Sequence, residues 1–310
     1  MNDRAWVATR KGLLELRRRS GEWQVARESF AGDPVSMVLP PDASGRMFAA
    51  LSLGHFGVKM HRSDDAGQTW QEVAAPAFPP QPEGAPGPAW TVSLVWAMER
   101  AGHALYAGTL PGGLFRSADG AASWQLDEAL WNRPERLGWN GGGYDVPGIH
   151  SISPLPDGTV LAGVSCGGAW ITRDAGATWA QTAHGMRAEY MPPDQAYDPE
   201  VQDPHAIARC AAQPDVLWCQ HHNGIFRSTN GGAHWSELHA PLSSFGFAVA
   251  AHPADPQTAW FVPAVKDQCR VPVERALAVN RTRDGGATFE TLRAGLPQRA
   301  TTSSTATRWR

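Results

Sequence analysis

The chain has 310 residues, a formal net charge of −3 and 42% hydrophobic residues. The near-neutral balance, with no basic run longer than Arg17-Arg18-Arg19, argues against a nucleic-acid partner. No apolar run approaches the ~20 residues that span a bilayer. Cys166, Cys210, Cys219 and Cys269 lack metal-type spacing, and the start carries no apolar signal region. Reduced thiols and a cytoplasmic location are therefore expected.

In chain order, 5–10, 13–17 and 23–27 read as three short strands, punctuated by Gly12 and Ser20-Gly21. Four strands follow at 35–39, 47–53, 58–62 and 70–73. The Pro-, Gly- and Ala-rich stretch 74–88 must be a surface loop. A second group of four falls at 91–98, 104–109, 114–117 and 124–126. A long loop, 127–147, holds Trp131, Trp139 and Tyr144. The next groups span 149–181, 205–238 and 245–292. Between the first two lies a loop, 182–204, with Arg187, Glu189, Tyr190, Asp194 and Asp203. The last group carries an insertion near 265–274.

Each full group contains one recurrent octet. Ser63-Asp64-Asp65-Ala66-Gly67-Gln68-Thr69-Trp70 sets the pattern Ser-x-Asp-x-Gly-x-Thr-Trp. It returns around Asp119, Asp174, Asn230 and Asp284, with closing aromatics at 70, 124, 179, 235 and 289. The steps are therefore 54, 55, 56 and 54 residues, about one four-stranded sheet with its loops. The Asp side chain can bond backbone N–H groups two residues on. The Gly supplies a positive φ, and the Trp buries a large ring at the next strand. Arg62, Arg116, Arg227 and Arg281 each precede an octet and recur with it, so they read as structural.

These octets resemble the Asp-box (BNR) repeats of the sialidase-like superfamily over roughly 55–290. The resemblance implies an all-β fold, a β-propeller with the boxes on the hairpins between third and fourth strands. Six blades are visible in one domain, 1–298, the first lacking its innermost strand. The tail, 299–310, is low-complexity and carries no box. It could supply the missing strand, or be an unnatural end where a seventh blade has been lost.

In such a meander, loops that enter a blade and loops between its second and third strands share one face, opposite the boxes. The polar residues that no turn explains crowd onto that face. His150 and His205 start innermost strands, and His221 and His222 end the second strand of the blade His205 begins. His55, Tyr190, Trp139, Tyr144, Lys266 and Asp267 fall in loops of the same face. A lone His at a strand end is usually satisfied by a backbone carbonyl. Gathered neutral imidazoles suit a divalent transition metal instead, with His150, His205, His221 and His222 as ligands. Glu189 or Asp203 would act as general base or complete the coordination. Trp139, Tyr144, Tyr190, His55, Lys266 and Asp267 would bind ligand, although loop tryptophans can equally pack down onto the blades.

Sialidase chemistry is not expected. Sialidases resemble one another in an Arg-Ile-Pro type segment that is missing here, and adjacent Glu189 and Tyr190 would point to opposite faces on a strand. The segments Gly54-His55-Phe56-Gly57, Pro147-Gly148-Ile149-His150-Ser151-Ile152 and Gln220-His221-His222-Asn223-Gly224 are similar to those of bacterial BNR/glycosyl-hydrolase-like proteins. Two functions stay open: a metal-assisted hydrolase or lyase acting on a small-molecule or carbohydrate ligand, or a non-catalytic propeller that binds a ligand or protein partner. Neither the oligomeric state nor the substrate is legible.

Overall fold

The computed structural model describes residues 3–141 and 144–299. The chain forms two compact units, Met1–Asn132 and Arg133–Arg310. Each contains three antiparallel sheets built from strands in sequence order. These six meanders are the blades of a β-propeller. Apart from Arg299, the expected tail lies outside the described residues.

In the first unit, blade one has three strands, Arg4–Thr9, Gly12–Arg19 and Glu22–Ser29. Blade two has Val35–Leu39, Met47–Ser52, Val58–Ser63 and Gln71–Val73. Blade three has Leu94–Ala101, Ala104–Leu110, Leu114–Ser117 and Gln125–Leu126. Its first strand begins later than the sequence suggests. Ser93 still bonds Leu110 through its N–H, and the ladder then runs on to a tight turn at Gly102, where φ is +58°. The long loop after this blade is not featureless. Asp127 caps a short helix, Glu128–Trp131, by accepting from the Leu130 N–H. That helix seats Trp131, 3% exposed, against Phe78 and Trp90.

In the second unit, blade four has Ile149–Pro154, Val160–Val164, Gly168–Thr172 and Ala180–Gln181. Blade five has Ala206–Arg209, Leu217–Gln220, Ile225–Ser228 and Ser236–Leu238. Blade six has Gly246–Ala251, Ala259–Lys266, Val279–Thr282 and Glu290–Leu292, and its insertion folds Cys269–Pro272 back onto the second strand. The inner strands of blades four and five are laced together: Ser151 Oγ accepts from the Ile207 N–H at 2.9 Å, and Arg209 donates to Ser153 Oγ at 2.8 Å.

The octets form one hairpin, five times over. In the first, Asp65 accepts from the Ser63 hydroxyl (2.7 Å), the Thr69 N–H (2.9 Å) and the Thr69 hydroxyl (2.7 Å), while Ser63 Oγ accepts from the Gly67 N–H (2.8 Å). The same pattern recurs at Asp119, Asp174 and Asp284, and Asn230 keeps the Ser228 and His234 bonds. The charged acceptors are held low, Asp174 and Asp284 down to about 2, by the hydroxyl and amide donors around them. Three of the closing tryptophans then work as staples. Trp70, Trp124 and Trp235 donate their indole N–H to Ser29, Ala74 and Thr182 of the preceding blade or its exit. The core lies between adjacent blades, as where Trp235 meets Leu161, Ala169, Ile207 and Phe226.

The first strands of blades two, three, four and six each break register once near their start. The breaks fall between Val35 and Met37, Val95 and Ala97, Ile149 and Ser151, and Gly246 and Val249. Such a bulge leaves a residue out of the ladder and re-aims its side chain. In blade four that residue is His150.

Candidate functional site

The second unit gathers most of the polar residues that the sequence singled out, and Asp203 is their centre. It ends the loop into blade five, just before Pro204 and His205. Its neighbour Gln202 is fully buried and fixes the loop twice. The Gln202 side-chain amide donates to Ala196 O (3.1 Å) and Asp198 O (2.7 Å), and its backbone carbonyl accepts from the Gly167 and Gly168 N–H groups. Asp203 itself is clamped by its backbone. Its N–H donates to His221 Nε2 (3.0 Å), and its carbonyl accepts from the His222 N–H (2.9 Å).

The Asp203 carboxylate, 1% exposed, then faces three imidazoles. His205 Nε2 and His222 Nδ1 each lie 3.3 Å from Oδ2, and His150 Nε2 lies 3.8 Å from Oδ1. Burial alone would raise the acid's pKa. The charge of His205 and the contacts from His150, His205 and His222 reverse that and hold it well below the usual carboxylate range. His205 moves the opposite way. Burial lowers it, but the Asp203 charge and the Gly246 carbonyl raise it on balance.

Each imidazole has its own support. His205 Nδ1 lies 2.7 Å from Gly246 O, and its ring stacks on Phe247 at 4.8 Å. His222 meets the edges of His205 (5.2 Å) and Tyr190 (5.1 Å). Asp203, His205 and His222 offer ligand atoms within 4.8 Å of one another. His221 stands apart in role. Fully buried, it is driven by desolvation down to about 3, so it is neutral, and it spends Nε2 on the Asp203 N–H. The expectation that His221 is a metal ligand is corrected on that ground: its lone pair already holds the loop.

The other expected residues divide. Tyr190 borders the cluster, with its hydroxyl donating to Val201 O at 2.6 Å. Glu189 does not join it; its exposed carboxylate lies 3.5 Å from Arg187, which grips Glu237 through two bonds. Glu189 and Tyr190 are thus engaged with different partners. Trp139 is 6% exposed and packs on Trp170 at 5.9 Å, so it serves the packing and offers no face for a sugar. Tyr144 is half exposed. Lys266 is exposed at the tip of the blade-six insertion, and Asp267 pairs with Arg270. His55 belongs to the first unit, in a short exposed turn where its ring lies 3.8 Å from that of Phe56.

Sequence reasoning passed over three neighbours of the cluster. Cys166 turns its N–H toward Asp203 Oδ1 (3.5 Å), and burial with the nearby Asp203 charge pushes its thiol up to about 12. Phe247 backs His205, and Arg270 lies over Phe247 at 5.3 Å. Aligning the blades residue by residue exposes Phe247, because it lies within the same register break as His150.

No family model and no curated protein matches the sequence. Solved structures do match in fold. A GH74 xyloglucanase from Xanthomonas campestris superposes over 95% of this chain and 44% of its own, with a TM-score of 0.62 and 16% identity. An ancestral GH74 enzyme covers 86% of this chain and 32% of its own, at TM-score 0.58 and 15% identity. YCF48 bound to D1 peptide covers 94% and 78%, at TM-score 0.53 and 17% identity. YCF48 from Cyanidioschyzon merolae covers 97% and 84%, at TM-score 0.57 and 16% identity. This chain thus spans less than half of the two GH74 chains. At these identities the likeness carries the propeller fold and no activity.

Proposed function

We propose that this protein binds a small polar ligand of the carbohydrate class at the Asp203 cluster, as a hydrolase-like propeller of the Asp-box, sialidase-like kind that lacks sialidase chemistry. One observation carries the reading. Asp203, His150, His205 and His222 converge in the second unit, from the ends of two inner strands and one second strand. A buried acid with three imidazoles is costly to assemble unless it is used. The hairpin bonding around Asp65 and its four counterparts supports the Asp-box assignment, and the xyloglucanase neighbour is consistent with a sugar ligand. Asp203, rather than the surface-held Glu189, is then the carboxylate that meets the ligand or its activator.

The test is calorimetric titration with a panel of neutral and acidic mono- and oligosaccharides, repeated on Asp203→Asn and His222→Ala. Binding that both variants lose supports the reading. Failure of the whole panel, or binding that ignores both substitutions, overturns it. The likeness to a peptide-bound propeller favours a second reading, a non-catalytic scaffold. Capture of peptides by the same face, with no sugar bound, would select it.

A further inference from the structure

We infer that Asp203, His205 and His222 form a binding site for one divalent transition-metal ion, with Zn2+ the best match. The inference rests on the reading that this cluster is the functional site, and it names the site's cofactor.

The first argument is distance. A charged N–H···O bond closes to about 2.7–2.9 Å. Both nitrogens here stand 3.3 Å from the same oxygen, Asp203 Oδ2. Ligand bonds of about 2.0–2.1 Å in a tetrahedron put neighbouring ligand atoms about 3.3–3.4 Å apart. The spacing fits the edge of a coordination shell better than it fits a direct hydrogen bond.

The second argument is the tautomer of His205. Gly246 O can only accept, so His205 Nδ1, 2.7 Å away, carries the hydrogen. Nε2 is therefore the nitrogen that His205 presents to Asp203 Oδ2 across 3.3 Å, the place where a proton or a metal ion would join the two. A carbonyl on the far ring nitrogen is also the support that metal-binding histidines ordinarily have.

The third argument is completeness. Two imidazoles and one carboxylate are a borderline donor set that suits Zn2+, Fe2+, Mn2+ or Ni2+ over Mg2+ or Ca2+. Three protein ligands leave room for water or substrate. The His222 side chain is 24% exposed against 1% for Asp203, so the open positions face solvent on the Tyr190 side. His221 fixes Asp203 from behind, and His150 borders the other carboxylate oxygen.

The experiment strips the full chain with a chelator and titrates it with Zn2+, then with Co2+ as a coloured probe. One equivalent should bind, and the Co2+ form should show the intense visible bands of a four- or five-coordinate site. His205→Gln and His222→Gln, checked for folding by circular dichroism, should each weaken Zn2+ by at least about a hundredfold, since even outer partners of such ligands cost ten- to a hundredfold. His103→Ala, at the exposed turn beside Gly102, should bind as the wild type does. Sub-stoichiometric Zn2+ uptake, weak octahedral-type Co2+ bands, or two folded variants that bind like wild type would each overturn the assignment. The wild-type stoichiometry and spectrum decide even if a variant fails to fold. Sugar binding without stoichiometric metal uptake would sink the metal site alone. Metal uptake without any sugar binding would sink only the proposed ligand class.

Discussion

Thr172→Val isolates what one box hairpin contributes. Thr172 is 1% exposed; its hydroxyl donates to Asp174 (2.7 Å) and accepts from the Gly176 N–H (2.9 Å). Valine keeps the shape and removes both bonds, together with the longer 3.3 Å bond that the hydroxyl accepts from the Asp174 N–H. The bond to the solvated Asp174 carboxylate is screened by water and adds little. Leaving the Gly176 N–H unpaired costs about 1–3 kcal/mol, and the extra methyl returns about 0.5–1 kcal/mol. The orphaned amide therefore decides the sign, and the net loss is about 2 kcal/mol. For a unit of this size that is a fall in Tm of about 4–8 °C. Urea unfolding and calorimetry measure it. Thr282→Val, with the same partners in blade six, should cost the same. A loss below about 0.5 kcal/mol in both would refute the view that the box hydroxyl holds the turn.

Acid should weaken the propeller in a defined window. Asp119, Asp174 and Asp284 have folded pKa values near 2, below the ordinary 3.8, so their contribution is complete above about pH 4 and is lost as pH falls toward 2; a Tm that stays flat from pH 5 to 2 would contradict this. Gly168→Ala combines a φ of +78° with a Cβ only 2.2 Å from Pro199 O; a loss of about 2–4 kcal/mol is expected by chemical denaturation, with weaker ligand binding because Gly168 holds Gln202. Arg187→Lys forfeits the two-pronged grip on Glu237, and should cost about 0.5–1 kcal/mol in urea unfolding because a lysine cannot reproduce it.

The blades were legible because their signal is local. A turn needing Asp, Gly and Trp at fixed offsets prints itself on the sequence wherever it occurs, and only blade one, without a full octet, had to be read from alternation. The histidines were conspicuous in the sequence, beside the ends of two inner strands and one second strand. Their roles were not. Nothing in Gln220-His221-His222-Asn223-Gly224 says which imidazole accepts a backbone N–H and which faces the acid, since alternation separates the two without ranking them. Asp203 was singled out only together with Glu189, and nothing in the sequence ranked the one above the other. What distinguishes it is the seating by Gln202, whose buried side-chain amide braces the loop on Ala196 and Asp198 and whose backbone carbonyl ties it to the Gly167-Gly168 turn of blade four. Trp139 shows the converse, a conspicuous loop aromatic whose ring is occupied by Trp170.

The register break near the start of four first strands has a consequence for how such a protein can change. A residue outside the ladder forms none of its paired backbone bonds, so its side chain can be exchanged while the strand pairs as before. Ser36, Trp96 and His150 occupy this position in blades two, three and four, and blade six places Phe247 within its break. Four chemically unlike side chains are thus carried by one backbone device. The device separates heritable chemistry from heritable architecture: substitutions there can rewrite what a blade presents while leaving the hydrogen bonds that define the blade untouched.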